Sequence, residues 1–448
     1  LTTRLESQFD LTESISDQRR YGERLIRFAE RSRSAPLTEN QFQILVTNVE
    51  RLTSLGLSLE QDLSGIRWLQ STDRVGMVSL VTDGKTLLIQ VTAKIADADL
   101  FRMVDRTFGR LPVQDEDAEA QVRQSSLSGV FLRYWTAQIL AFLQKGTFRD
   151  FHYRDRWESG RIRGKPLLRE YVRYSVPRAK QQVVPTRSIE FDTNVVENQI
   201  IAYTVTIAMA LVVQFDLQNS KQILSDLRKA MSYLTGVSTD RISKNSIQNL
   251  RYRRNTERFR PVHELCRYLL EGSSISLDSG RRIQFASFNL HMPTLFQRYV
   301  TSLFKTVFGS RHVGDRRSLT FATGFGGRPI VLDGLIRNGN RAVVVEAKYR
   351  SIKRVDEELV LGQVPESHVY QTVAYMGHVD VRASEGIIVY PIWEEGPPIV
   401  LTLPVTDFGW SQRQSSQGKQ IRLLGIDLSA SYQDVTREMS LQLGDLIS

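Results

Sequence analysis

The chain has 448 residues, which implies two or three domains, since single hydrophobic cores seldom grow past about 250 residues. It is 41% hydrophobic and 24% charged, with 28 Gly and 13 Pro, which excludes a wholly disordered, collagen-like or coiled-coil protein. Lys and Arg number 59 against 49 Asp and Glu, a formal charge of +10 that is modest for this length, so its placement matters more than its size.

Residues 1–38 form a polar N-terminal segment. Within it RRYGERLIRFAERSR (19–33) is at best a charged helix, and the start LTTRLESQFDLTES lacks the apolar core of a secretory leader. Residues 39–111 read as a small β-rich domain. Asp83 and Gly84 lie between the apolar runs of VGMVSLVTDGKTLLIQV (75–91) and tolerate the positive φ of a tight turn, so a hairpin is expected there. Ala98 to Thr107 has helical spacing.

Residues 112–189 read as a helical and basic linker region. A polar link, Pro112 to Ser126, leads into SGVFLRYWTAQILAFLQKG (128–146), whose spacing fits a helix ended by Gly146. Residues 190–288 read as a helical region with helices over Glu197–Phe215, Ser220–Leu234 and Pro261–Leu270, the last with Pro at its first turn. The most apolar run, Ile200 to Val213, is interrupted by Thr and falls short of the roughly 18 to 20 residues of a membrane span, so no membrane contact is expected. The single cysteine, Cys266, cannot form an internal disulfide; it sits among Leu265 and Leu269, which predicts a buried thiol and suits a reducing cytoplasm.

In the last region, 289–448, the hydrophobic period changes. A helix over Pro293–Val307 precedes two short apolar runs, PIVLDGLI (329–336) and RAVVVEA (341–347), joined by the natural hairpin turn Arg337, Asn338, Gly339, Asn340. Val369 to Val379 reads as a helix, and GIIVYPI (386–392), PIVLTLP (398–404) and QIRLLGIDL (420–428) read as strands. The expected fold class is α+β and multidomain: a small N-terminal β-rich domain, a helical middle region and a C-terminal α/β domain.

The positive charge is concentrated. Residues 151–180 hold nine Lys or Arg against three acids, and residues 241–260 hold seven against one. The first stretch mixes Arg154, Arg156, Arg161, Arg163, Lys165, Arg169 and Arg173 with Tyr153, Trp157, Tyr171 and Tyr174; the second contains Arg251, Arg253 and Arg254. Phosphate backbones need such a density of fixed cations, and aromatics stack on exposed bases. An acidic protein partner or a plain solvated surface accounts for the same composition.

The segment VLDGLIRNGNRAVVVEAKYR (331–350) carries the candidate chemistry. Asp333 is expected in the first strand, with Glu346 and Lys348 near the end of the second. Two apart on an extended strand, Glu346 and Lys348 face the same side, and the hairpin brings Asp333 beside them. Two carboxylates and the Ala347 carbonyl suit Mg²⁺, while Lys348 suits polarising a water or steadying a pentacovalent phosphate. A structural Glu–Lys pair is the competing reading, because a D-(12)-E-x-K triplet arises by chance in long chains. In HVYQTVAYMGH (368–378), Gln371 and Tyr375 share a helical face, which suits contact with the site or the DNA backbone, or equally a packed Tyr375 with Gln371 at a strand edge. His368 and His378 lack a third ligand for zinc. With no GxxxxGK[ST] loop and no Rossmann fingerprint, a nucleotide-driven motor would be a separate chain.

On these residues the chain resembles the McrC family, the nuclease subunits of 5-methylcytosine-specific, McrBC-type restriction systems, within the PD-(D/E)xK superfamily. Asp333, Glu346, Ala347, Lys348 and Tyr349 match the central motif, and Tyr370, Gln371 and Tyr375 match the YQ-x-x-x-Y element that follows. The strand Gly386 to Pro391, TNVVENQIIAY (193–203) and the GRI of SGRIRGK (159–165) add weaker likeness, and residues 75–95 resemble the N-terminal β domain more loosely. The resemblance implies a restriction-endonuclease-like C-terminal domain and Mg²⁺-dependent cleavage of double-stranded, modified DNA. It also implies an McrB-like AAA+ GTPase hexamer as partner, engaged through the N-terminal domain near Lys94, whose hydrolysis this chain stimulates. Two positions depart from the pattern: Leu332 replaces a proline, and Gln297 in LFQRY (295–299) stands where the family usually offers Glu. The alternatives are a non-catalytic, DNA-binding activator of the partner, and a PD-(D/E)xK nuclease acting in repair.

Overall fold

The computed structural model describes residues 25–82, 85–95, 100, 103–104, 106–107, 127–215, 220–240, 242, 247, 249–277, 283–310, 313–315, 318–320, 329–338, 341–350, 352, 354–355, 358–359, 364–378, 380–392, 399–404 and 419–446. In chain order it begins with β1 (Leu25–Ala29), α1 (Glu39–Val46), α2 (Val49–Ser54), β2 (Leu57–Gln61), β3 (Arg67–Ser71), β4 (Arg74–Thr82) and β5 (Lys85–Thr92). There follow α3 (Leu127–Gln144), β6 (Asp150–Ser159), β7 (Lys165–Pro166), β8 (Val183–Asp192), α4 (Val196–Phe215), α5 (Ser220–Tyr233) and α6 (Arg260–Gly272). Next come β9 (Ser273–Leu277), β10 (Ile283–His291), α7 (Met292–Phe308), β11 (Val313–Asp315), β12 (Ser318–Thr320), β13 (Pro329–Val331), β14 (Gly334–Asn338) and β15 (Arg341–Ala347). The chain closes with β16 (Arg354–Val355), β17 (Glu358–Leu359), α8 (Glu366–Met376), β18 (Glu385–Ile392), β19 (Ile399–Pro404), β20 (Gln420–Asp427) and α9 (Tyr432–Gln442).

The chain divides into two compact units. One holds the described residues up to Phe131 and from Ile275 onward, and the other runs from Leu132 to Ser274.

The first unit contains a five-stranded sheet in the order β1-β5-β4-β10-β9. β4 and β5 form the expected hairpin down to the Thr82–Lys85 pair, although the turn residues Asp83 and Gly84 lie outside the described residues. β1 overturns the charged-helix reading over residues 25–29, while residues 19–24 of that stretch lie outside the described residues. Ile26 and Phe28 alternate into a core with Leu45, Leu69 and Ile89, while Arg27 stays exposed, and the strand runs parallel to β5. A five-residue strand flanked by Arg and Glu looks helical in isolation, and burial against β5 reverses that preference. β9 and β10 likewise correct the helical reading of 190–288 at its C-terminal end. β10 pairs antiparallel with β4 and runs directly into α7. Its partner is some 200 residues earlier, a non-local pairing that local periodicity does not register.

The same unit holds a six-stranded mixed sheet, β11-β14-β15-β18-β20-β19. β15 is parallel to β18 and β18 to β20, while the remaining pairs are antiparallel. A parallel β15–β18 step needs a crossover, and α8 supplies it, packing on both strands. Ala342 and Val344 of β15 and Ile388 and Tyr390 of β18 join Val369, Val373 and Met376 of α8 in one buried core. Gly386 permits this approach: a Cβ there would lie 2.6 Å from Thr372 Cγ2 and 2.9 Å from Met376 Sδ. α7 packs against β15 and α9.

The second unit combines helices with a three-stranded sheet, β6-β8-β7. α4 is long and apolar enough to cross a membrane by length and composition, more than its interrupted run suggested; half of its most apolar window is buried inside the chain, where it packs on α5 and α6. Cys266 of α6 is buried as expected, and burial pushes its thiol up to about 12. The strands β6 and β8 correct the reading of 112–189 as helical. β6 alternates Phe151, Tyr153 and Trp157 with Arg154 and Arg156, a period of two that the density of Arg obscured.

Candidate active site

Asp333 lies in the break between β13 and β14 rather than within a strand, preceded by the fully buried Leu332. The β14–β15 register opposes Gly334 to Val345, which sets Asp333 beside Glu346. Its carboxylate is held from two sides: the Ala347 backbone N–H donates to Oδ2 at 2.9 Å, and Gln297 Nε2, from α7, donates to Oδ1 at 2.5 Å.

Glu346 closes a run of five consecutive buried residues in β15, and its side chain is only 4% exposed. Lys348 Nζ donates to Glu346 Oε1 at 2.6 Å and to Gln371 Oε1 at 2.8 Å. Gln371 Nε2 in turn donates to the Tyr375 hydroxyl at 2.6 Å. Glu346 Oε2 is buried with no hydrogen-bond partner among the described residues. Burial and the nearby Asp333 push the Glu346 carboxyl up to about 7, with Lys348 pulling the other way. Lys348 lies just past β15, but its backbone N–H still bonds to Val389 O at 2.8 Å, which carries the register one residue further.

The structure therefore brings together Asp333, Glu346, Ala347, Lys348, Gln371, Tyr375 and Gln297. Asp333, Glu346, Ala347, Lys348 and Gln297 border a cleft of about 510 Å³ whose wall also includes Arg31, His291, Thr294, Arg350 and His368. Sequence reasoning missed these last five. His368 precedes Gln371 by three on α8 and carried an i, i+3 signal. Its Nδ1 lies 2.9 Å from the Tyr390 hydroxyl, and burial together with Lys348 and Arg350 lowers its pKa to about 4. Arg31 carried no local signal, since it comes from the turn after β1.

Among the described residues no cluster of three or more His, Cys, Asp and Glu forms a cation cage. Among the described residues the cleft offers two carboxylates, Asp333 and Glu346. Their oxygen donors, one of them buried and unsatisfied, fit a hard divalent cation that keeps part of its water shell.

The predicted DNA-contacting residues fall in the second unit. Arg154 and Arg156 both pair with Glu190 of β8, at 3.1 and 3.0 Å, and Arg187 pairs with Asp155. Arg161, Arg163, Lys165, Arg169, Arg173, Arg251, Arg253 and Arg254 are exposed, with Arg253 3.8 Å from Asp150. The β6–β8 pairing also aligns Phe151 with Phe191 and Tyr153 with Ile189 on one exposed face, the two Phe rings 4.7 Å apart. Lys94 is exposed, in the first unit, and its backbone N–H bonds to Glu30.

A family model described as McrBC 5-methylcytosine restriction system component matches residues 69–391. The chain belongs to this McrBC family. The matched span contains Asp333, Glu346, Lys348, Gln371 and Tyr375, but not Arg31. Among solved structures, the McrBC chain is similar to one in a refined half-complex from a tetradecameric assembly of Thermococcus gammatolerans McrB AAA+ hexamers with bound McrC. The two are 16% identical with a TM-score of 0.50, over 94% of this chain and 100% of that one. A cryo-EM structure of the Thermococcus gammatolerans McrBC complex gives 16% identity and a TM-score of 0.38, over 62% of this chain and 87% of that one. No curated protein matches the sequence. At such identity the structural likeness speaks to the fold of the McrBC chain alone.

Proposed function

We propose that this chain is the McrC-type nuclease subunit of an McrBC-type restriction complex, with a PD-(D/E)xK-type C-terminal domain that hydrolyses phosphodiester bonds of modified double-stranded DNA. The observation that carries this reading is the convergence of Asp333, Glu346 and Lys348 in one cleft, with Lys348 Nζ held between Glu346 and Gln371. Charged groups this buried are costly unless they meet one another or a ligand. A structural Glu–Lys pair explains the bond to Glu346 Oε1; it does not explain the unsatisfied Oε2 or the second carboxylate beside it.

Asp333, Glu346 and the Ala347 carbonyl are the groups that would hold Mg²⁺. Bound there, Mg²⁺ supplies Lewis-acid stabilisation of phosphate charge and lowers the pKa of a water. The protein's own part is positioning and charge. Ala347 N–H and Gln297 fix the orientation of Asp333. Lys348 presents a cation to the cleft, its direction set by Glu346 and Gln371, where it stabilises negative charge on a phosphate oxygen. Tyr375 orients the amide of Gln371. The exposed cations of the second unit, Arg161 to Arg173 and Arg251 to Arg254, hold backbone phosphates, which position a duplex without reading its sequence. Following the Thermococcus gammatolerans assembly, the partner is an McrB-like AAA+ GTPase hexamer whose hydrolysis this chain stimulates.

A second reading, a non-catalytic DNA-binding activator, is favoured by one observation: the Gln297 amide engages an oxygen of Asp333 where the family usually offers Glu. The test is to assay the full chain, Asp333→Ala and Lys348→Ala on methylated and unmethylated duplexes with Mg²⁺, with and without the AAA+ partner. The nuclease reading expects both variants to lose about a hundredfold or more in cleavage while still binding DNA. Equal cleavage by all three chains overturns it. Stimulated GTP hydrolysis without cleavage by the wild type establishes the activator.

A further inference from the structure

The turn after β1 reaches across to the residue that follows Lys348. The Tyr349 hydroxyl donates to Glu30 Oε1 at 2.8 Å, 319 positions away in sequence, and Arg31 donates from its guanidinium to the Tyr349 carbonyl at 3.2 Å. Consecutive residues of the turn after β1 thus grip both the side chain and the backbone of Tyr349. Glu30 is fully buried, and the backbone N–H of Lys94 also donates to its Oε1, at 3.1 Å. Arg31 pairs with Asp73, and the Asp73 carbonyl accepts from the backbone N–H of Met292 at 3.0 Å. Met292 opens α7, the helix that carries Gln297 to Asp333. The turn after β1 and the link before β4 therefore tie together the strand end at Tyr349 and the start of α7, both of which border the cleft.

The backbone at this point is unusual. Arg31 has φ of +52°, a left-handed conformation that is costly for any residue with a Cβ and persists only when the surroundings over-determine it. Here they do: Glu30 N–H bonds to Thr92 O at 2.9 Å and Arg31 N–H to Thr72 O at 3.1 Å. A buried carboxylate and a strained arginine are poor choices for filling space, since an apolar pair would pack without the desolvation cost. They are suited to fixing a direction.

We infer that Glu30 and Arg31 are positioning residues of the cleavage site, holding the Glu346–Lys348 strand end and the start of α7 in register through Tyr349 and Asp73. This inference rests on the nuclease reading of the cleft. It makes the N-terminal sheet a structural part of the catalytic centre, and it acts through Tyr349 rather than on the DNA.

The test uses the full chain with its AAA+ partner and the variants Glu30→Ala, Glu30→Gln, Arg31→Ala and Tyr349→Phe, with Arg33→Ala as a control. Two quantities are read: amide hydrogen exchange at residues 345–350, and the split between kcat and KM for DNA. The expected result is exchange about tenfold faster at Ala347 and Lys348 in the Ala variants and in Tyr349→Phe, with kcat down about tenfold and KM within about twofold. Glu30→Gln keeps an acceptor for both donors and restores wild-type exchange; Arg33→Ala matches the wild type throughout. Unchanged exchange in Arg31→Ala and Tyr349→Phe overturns the inference, as does a rise in KM with kcat intact. If the Ala variants fail to fold, Tyr349→Phe, which deletes one hydroxyl, decides by the same exchange criterion. A wild-type chain that cuts no DNA sinks the nuclease reading and leaves the exchange result to decide the positioning, so the two fail separately.

Discussion

Gln371 accepts a hydrogen bond from the ammonium of Lys348 at 2.8 Å, tying a helix to the end of a strand 23 residues earlier. Because Lys348 also bonds to Glu346, its amine is fixed in direction by two acceptors on different elements. Gln371→Leu removes one of them and leaves the charge. Cleavage should fall about tenfold to a hundredfold in single-turnover assays, with DNA affinity in Ca²⁺ unchanged. A matching loss of DNA affinity would instead make Gln371 a DNA-binding residue.

Gln297 is a neutral donor to Asp333 where a third carboxylate would add a ligand. Gln297→Glu should tighten Mn²⁺ binding, measured by titration calorimetry, by about tenfold, because each added acidic ligand raises the charge available to a hard cation. The same variant should lower the melting temperature of the cation-free chain, since it brings a third acid next to Asp333 and Glu346. Unaltered Mn²⁺ affinity would place residue 297 outside the cation's reach.

Burial and Asp333 raise the Glu346 carboxyl from an ordinary 4.5 to about 7. Between those values the cation-free folded chain binds more protons than the unfolded one. The group's contribution to stability is therefore complete at acid pH and is lost as pH rises through about 7. Glu346→Gln should flatten that decline, seen as a smaller fall in Tm between about pH 5 and about pH 8. A divalent cation must displace the same proton, so its affinity should drop about tenfold for each pH unit below about 7.

The basic residues of the second unit divide by what they already touch. All are exposed, but Arg154 and Arg156 are paired with Glu190, whereas among the described residues Arg253 reaches a distant Asp150 and Arg161, Arg163 and Arg254 extend into solvent. Replacing Arg161, Arg163, Arg253 and Arg254 with Gln should weaken DNA binding and reduce the slope of log K against log salt by about 0.9 for each phosphate no longer neutralised. Replacing Arg154 and Arg156 should move that slope less. Equal effects from both sets would show that the Glu190 pairs open on DNA.

Much of the C-terminal half is legible in the amino-acid order. β15 and β18 are continuous apolar runs because both faces are covered, and α8 shows its period through Val369, Val373 and Met376. The spacing of Asp333, Glu346 and Lys348 around a hairpin suffices to bring them together, because strand register is a local property once the turn is set. β1, β10 and β6 were not legible. Each is short or rich in Arg, or pairs far along the chain, and each becomes a strand through a partner that buries it or completes its hydrogen bonds.

The +10 charge of the sequence likewise acquires a different meaning. Composition located the positive excess in residues 151–180 and 241–260, and that placement stands because it is a count. Which of those cations already hold an acid is decided by the β6–β8 pairing, which brings Glu190 to 3.1 Å from Arg154 and 3.0 Å from Arg156 while both side chains stay exposed. The same division holds at the cleft. Asp333, Glu346 and Lys348 follow from one hairpin, within reach of sequence. Gln297, His368 and Arg31 arrive on α7, α8 and the turn after β1, and only tertiary packing, by closing loops of tens to hundreds of residues, could bring them to the same few ångströms.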